Sequence, residues 1–331
     1  MSKLTQHLQS ALERRTPLFQ QLQQENTDCY RLFHGSNEGY PGLTVDRYGP
    51  QLLIQSFHHS LDENEQDTIS QVMNSHFAFE EIIYQDRSQK KQAFPKKHLA
   101  AEQIGHEMGV AYRVRGRHAG QDPLLFLDFR VARRWILQEA QGKSVLNLFA
   151  YTCGIGLCAT LKGAREVWNV DFATRNLAVG KENLALNQLD ADAMRFVQGD
   201  FFSTVRQLAG LPVSLRYQQQ NVRQYERFEP KTFDIVCLDP PRWAKSPFGT
   251  VDLIRDYQSV LKPALLATAE GGQLLCSNNV AQVELEPWLE LVLRCANKSG
   301  RSVKSYQVLQ PEADFPSFDH KHPLKIAVLQ L

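Results

Sequence analysis

Apolar residues recur along this chain in two rhythms. In the first segment Leu4, Leu8, Leu12, Leu18 and Leu22 stand at helical spacing among polar residues. That spacing predicts an amphipathic helix over residues 3–25, interrupted near Pro17, where the ring and the missing N–H break the ladder. From Tyr30 to about Arg117 the runs become short and β-rich: "YRLFHG", "LTVDRYG", "QLLIQSF", "EEIIYQD" and "AYRVRG", separated by Gly, Pro and Asn. They read as strands of a small α/β domain, with "SNEGYPG" as a turn-rich connector.

From about residue 119 helical and strand patterns alternate. Helix Val131–Gln141 precedes strand Ser144–Phe149. A helix from about Gly156 to Lys162 leads to strand Glu166–Val170, and helix Ala173–Asn187 to strand Met194–Gln198. Then come strand Phe233–Leu238, helix Val251–Ala269, strand Gly272–Ser277, helix Pro287–Ser299 and strands Val303–Leu309 and Lys325–Leu331. Short, continuously apolar strands between helices predict a parallel sheet covered on both faces. The polar stretch 212–232 reads as an insertion. The expected architecture is a seven-stranded Rossmann-like α/β domain over 119–331, a small α/β domain over 30–118 and a helical segment over 1–29.

A chain of 331 residues that is 43% hydrophobic can bury two cores. No apolar stretch approaches the length of about 20 residues that crosses a bilayer, and the first residues carry scattered charges without an apolar leader core. A cytoplasmic location is the expectation. The six cysteines, Cys29, Cys153, Cys158, Cys237, Cys276 and Cys295, form no metal-type pair and no disulfide framework, so most are expected in the core and no metal is expected. Net charge is +1, which rules out a polycation as a whole. Yet Arg87, Lys90, Lys91, Lys96, Lys97, Arg113, Arg115 and Arg117 face only Glu102 and Glu107 between residues 87 and 118. Such a patch suits a polyanion, although a solvated loop would look the same.

Ligands in open α/β sheets bind beyond the carboxyl ends of the strands. After Ser144–Phe149 comes "AYTCGIG", whose Gly154 and Gly156 permit a tight turn and a close backbone approach. It is neither a dinucleotide fingerprint nor a phosphate loop. After the next strand comes Asp171, able to accept from both hydroxyls of a ribose or to cap the following helix. After the third comes Asp200, able to accept from an adenine amino group, with Phe201 or Phe202 beside the ring. After the fourth comes Asp239. Together the acids read as an adenosine site without phosphates.

These stretches resemble the class I S-adenosylmethionine-dependent methyltransferases, in particular the group that modifies bases of large-subunit ribosomal RNA. The resemblance rests on "LLFLDFRVARRWI", "VLNLFAYTCGIGLCA", "NVDFATRNLAVGKENLALNQL", "FDIVCLDPPRWAKS" and, in the small domain, "GYPGLTVDRYG". It implies S-adenosyl-L-methionine as cofactor. Asn147, Phe149, Tyr151, Gly154 and Gly156 would form its loop, Asp171 would hold the ribose and Asp200 the adenine, and Asp128 and Arg130 would approach from the preceding segment. Asp239, Pro240 and Pro241 would form a rigid floor where methyl donor and base meet, with Trp243 as a stacking surface or as packing. The implied partner is RNA, 23S ribosomal RNA in particular, held by the basic patch; no membrane is implied, and a homodimer is an allowed assembly.

The atom methylated is less directly legible. Amino-group methyltransferases carry an aromatic residue after the two prolines, where this chain has Arg242, so adenine N6 loses weight. "LLCSNNV" resembles both the cytosine carbon-5 members, which need a cysteine to attack the ring, and the guanine nitrogen-7 members, which lack it. Cys276 is therefore the candidate nucleophile, and carbon-5 of cytosine is slightly favoured. The alternative class is a noncatalytic RNA-binding or assembly factor that keeps the fold.

Overall fold

The computed structural model describes residues 2–88, 101–116, 123–213 and 226–331. Lys90, Lys91, Lys96, Lys97 and Arg117 lie outside them. The chain divides into two units, one formed by Met1–Arg130 with Pro311–His320, the other by Val131–Gln310 with Lys321–Leu331. The boundary therefore falls about a dozen residues later than the sequence suggested, and the smaller unit takes back a segment from near the C-terminus.

In the smaller unit the leucine-spaced segment forms helices α1 (Lys3–Arg14) and α2 (Thr16–Gln24). Pro17 sits in the first turn of α2, where its missing N–H costs nothing, so the break comes at Arg15. All five leucines are buried with Leu32, Phe33, Val45, Ile54 and Ile69. The helical segment is thus one wall of the small core rather than a separate piece. Strands β1 (Cys29–His34), β2 (Leu43–Tyr48) and β3 (Gln51–Ser56) pair antiparallel in sequence. Helix α3 (Glu63–Asn74) then crosses over to β4 (Glu81–Asp86), which pairs parallel with β3. The start of α3 is fixed by a capping box between Asp62 and Glu65. A hairpin of β5 (Gln103–Glu107) and β6 (Val110–Val114) completes this unit.

The larger unit takes up after α4 (Arg130–Glu139) begins. It continues with β7 (Ser144–Leu148), α5 (Gly154–Leu161), β8 (Glu166–Asp171), α6 (Thr174–Leu186), β9 (Arg195–Gln198) and α7 (Phe201–Leu208). After β10 (Phe233–Leu238) a short hairpin, β11 (Trp243–Lys245) with β12 (Thr250–Asp252), stands where a helix was expected from Val251. Helix α8 (Gln258–Ala267), β13 (Thr268–Asn278), α9 (Leu285–Lys298), β14 (Ser305–Leu309) and β15 (Lys325–Gln330) follow.

The sheet order is β14-β15-β13-β10-β7-β8-β9. Six strands share one direction, and β15, antiparallel to both β13 and β14, runs against them. The expected all-parallel sheet is corrected at that edge. The strand order reverses direction between β7 and β10, which makes their carboxyl ends the crevice where such sheets take ligands. All six cysteines are free and buried, as their core reading required. Among the described residues no helix is long and apolar enough to cross a membrane.

Candidate active site

The loop after β7 carries unusual backbone. Phe149, Tyr151 and Cys153 all have positive φ, at 57°, 48° and 63°. Left-handed conformations cost a non-glycine residue energy and persist only where neighbours enforce them. Here the enforcing bonds run to β8: Ala150 N donates to Val170 O at 3.0 Å, and Tyr151 N donates to Asp171 Oδ2 at 2.9 Å. Gly154 opens α5. Gly156 has another duty than the one expected of it. A Cβ there would lie 2.1 Å from Asn169 Oδ1, so this glycine lets α5 pack on β8. Asn147 belongs to the same packing. It is buried, and its amide donates to Asn169 Oδ1 at 2.9 Å.

Beyond the ends of β7, β8 and β9 lies a cavity of about 280 Å³ lined by, among others, Phe149, Asp171, Phe172, Asp200, Lys245 and Pro247. Asp171 is buried, and burial raises its carboxyl above the usual range. Bonds from Ala173 N at 2.8 Å and Tyr151 N at 2.9 Å pull the other way without cancelling it. Asp200 caps α7, accepting from Phe202 N at 2.8 Å and Ser203 N at 3.1 Å through one oxygen. Asp171 is not the N-cap of α6, which begins after Ala173 without a side-chain cap, although its carboxylate accepts from Ala173 N just before that helix. Phe201 stacks on Phe149, with centroids 4.6 Å apart and planes 18° apart, and both Phe201 and Phe202 are buried. The aromatic surface left open at this cavity is Phe172, 66% exposed. Sequence reasoning overlooked it; its signal was an aromatic directly after a strand-end acid.

Asp239 follows β10 and accepts a hydrogen bond from the Ser277 hydroxyl. Pro240 is buried, Pro241 half-buried, and Trp243 is 61% exposed on β11. Cys276 lies inside β13, opposite Leu238 and Ala327, and its side chain is wholly buried in the main core. Burial pushes its thiol up to about 12, against a hydrogen bond with Tyr257 that lowers it. A nucleophilic cysteine needs access and a lowered pKa, and this placement supplies neither. The strand, expected over Gly272–Ser277, runs from Thr268 to Asn278 and so extends beyond Cys276.

Arg130 is corrected more firmly. Its three guanidinium nitrogens donate to Glu312 (2.7 Å), Asp314 (2.6 Å) and the Cys29 carbonyl (3.1 Å), and the side chain is buried. It is a structural arginine of the smaller unit. Asp128 lies in that unit too, on a single 3-10 turn, where its charge helps raise the pKa of both Arg31 and Tyr48. Arg113 and Arg115 share Glu102, at 3.5 and 2.7 Å, so the described part of the basic patch is partly neutralised. Among the described residues no group of His, Cys, Asp or Glu is arranged to hold a metal.

A doubly wound sheet with a strained loop after its first strand, and with two carboxylates and an open aromatic ring around one cavity, has the architecture of an α/β enzyme whose site lies at the strand ends. The chain belongs to the S-adenosylmethionine-dependent methyltransferases: their family profile matches residues 30–330. The cofactor is S-adenosyl-L-methionine. Curated relatives include ribosomal RNA large subunit methyltransferase I of Aeromonas hydrophila, 29% identical over 87% of this chain and 70% of that one. The protein of the same name from Cronobacter sakazakii is 27% identical over 94% and 75%. Among solved structures, SMU.776 complexed with S-adenosylhomocysteine superposes with a TM-score of 0.78 at 23% identity, covering 99% of this chain and 81% of that one.

Proposed function

We propose that this enzyme methylates a base of large-subunit ribosomal RNA, by direct transfer to a ring nitrogen: nitrogen-7 of guanine, of the two atoms weighed above. The RNA class is supported by the names of the curated relatives. The choice of atom is supported by one observation, the burial of Cys276 with its thiol pushed up to about 12. A ring nitrogen brings its own lone pair and asks for no enzyme nucleophile, whereas carbon-5 of cytosine does.

The cavity fits the cofactor's nucleoside. Asp171 would accept from the ribose hydroxyls with the acceptor sites its backbone donors leave. Asp200 would accept from the adenine amino group through the oxygen not spent on α7, and Phe172 would cover the ring. S-adenosyl-L-methionine, when bound, supplies an electrophilic methyl on a cationic sulfur. Asp239, oriented by Ser277, and the two prolines would hold the base edge in position. Trp243 would offer it an aromatic face, while Arg113, Arg115 and the basic residues around them would contact phosphates.

The test is mass spectrometry of 23S nucleosides from cells with and without the protein. Loss of a guanine ring methylation supports this reading. Loss of 5-methylcytosine, together with a covalent adduct on 5-fluorocytosine RNA that Cys276→Ala abolishes, restores the carbon-5 route. Cofactor binding with no change in any nucleoside would favour the noncatalytic assembly factor.

A further inference from the structure

The smaller unit holds a second cavity of about 370 Å³, lined by His7, Ser10, Arg14, Ser36, Asn37 and Phe318, with Glu38 and Gly39 at its base. His7, Ser10 and Arg14 occupy positions i, i+3 and i+7 of α1 and so share one helix face. Opposite them stands the 3-10 turn Gly35–Glu38. The two walls are locked together. Gly39 has φ of 88°, and a Cβ there would lie 2.6 Å from the His7 ring, so the imidazole is seated against bare backbone.

One cation of this wall is open to solvent. Buried Glu38 takes bonds from both Arg14, at 3.0 Å, and Arg15, at 2.9 Å. Of the two guanidinium groups on this one carboxylate, Arg15 is buried and Arg14 reaches the surface. Arg14, with a side chain 54% exposed, makes that single ion pair, and its other donors have no partner among the described residues. The same holds for the side chains of His7, Ser36 and Asn37. At the rim Phe318 is 74% exposed and stacks on no other ring among the described residues. A solvated polar groove would explain the hydroxyls and the amide but not a bare phenyl ring beside an exposed cation.

We propose that this cavity binds one unpaired nucleotide of the RNA substrate, with the base on Phe318, the phosphate on Arg14 and His7, and Ser36 or Asn37 on the sugar or base edge. Flat bases of any sequence stack on an open aromatic ring, and guanidinium holds phosphate. The assignment rests on the RNA reading above and places a substrate contact on the smaller unit.

The experiment measures fluorescence anisotropy of a labelled single-stranded RNA oligonucleotide on the full chain, with Phe318→Ala and Arg14→Gln as variants. Both side chains are exposed, and thermal melts verify folding. Each variant should weaken RNA binding about tenfold, while calorimetric affinity for S-adenosylhomocysteine stays at the unsubstituted value. Unchanged RNA affinity in both variants overturns the site and leaves the RNA reading standing. No RNA binding by the unsubstituted protein overturns both. If AMP alone binds and Phe318→Ala abolishes that binding without touching RNA affinity, the cavity takes a free nucleotide and the RNA assignment fails.

Discussion

Ser277 donates its hydroxyl to Asp239 across the carboxyl ends of two neighbouring strands. The register of the sheet dictates the pair. Leu238 of β10 lies opposite Cys276 of β13, so the next residue on each strand meets at the crevice. Successive side chains point to opposite faces of a sheet. When Ser277 reaches the carboxylate, Cys276 must turn into the core. Tyr257 fastens the same spot by donating to the Ser277 carbonyl at 2.8 Å.

Ser277→Ala should lower turnover about 10- to 100-fold, because a hydrogen bond to a charged group is worth about 1.5–3 kcal/mol. Affinity for S-adenosylhomocysteine should hold, since Ser277 does not line the cavity proposed for the cofactor. Ser277→Thr, which restores the hydroxyl, should recover part of the rate. Equal loss in both variants would show that the serine acts only by its size.

Phe172 and Phe201 should separate binding from stability. Phe172→Ala removes an exposed ring and should cut cofactor affinity by about 0.5–1.5 kcal/mol, the worth of one aromatic contact, with little change in melting temperature. Phe201→Ala removes a buried ring stacked on Phe149 and should cost about 3–5 kcal/mol of stability. Calorimetry and thermal melts on both variants give the four numbers needed.

Arg130→Met should destabilise the protein by about 3–5 kcal/mol, because Asp314 is left buried without its counter-charge. Its folded fraction should bind S-adenosylhomocysteine as the unsubstituted protein does. A selective loss of affinity with unchanged stability would return Arg130 to the cofactor.

The Cys276 thiol predicts a pH dependence. Its ordinary value is 9.0 and the folded value is about 12. Between those two the unfolded chain releases the proton and the folded chain keeps it. The contribution to stability is therefore complete below pH 9 and drains away as pH rises, at about 1.4 kcal/mol per pH unit for one proton. Urea unfolding across that range should show a shallower decline in Cys276→Ala. Native protein should also resist thiol reagents at pH 8 at this position.

Gly156→Ala should weaken folding by about 1–3 kcal/mol, as overpacking does, because the added methyl meets Asn169 within β8. A combined Gly156→Ala, Asn169→Ala variant should recover part of the loss, measured by urea unfolding.

What the sequence determined by itself is what local rhythm encodes. The leucine face of residues 3–25, the alternation of helix and strand after residue 130 and the bounds of β10 needed only period and punctuation. So did the acids at or just past the ends of β8, β9 and β10, since a strand-end position is a local property. Helix α3 was legible too, in the Asp62–Glu65 box and the spacing of Ile69, Val72 and Met73, but the surrounding strands masked it. The eight residues of α7 and the Trp243–Asp252 hairpin were not, because elements that short take their shape from neighbours. Tertiary structure alone decided the rest. The antiparallel return of β15 and the pairing of Arg130 with Asp314, 184 residues away, depend on contacts no window of sequence contains. So does the placement of Cys276 and Ser277 on opposite faces of β13. Which neighbours each face of a strand meets is fixed by register, and register is settled only when the whole sheet assembles.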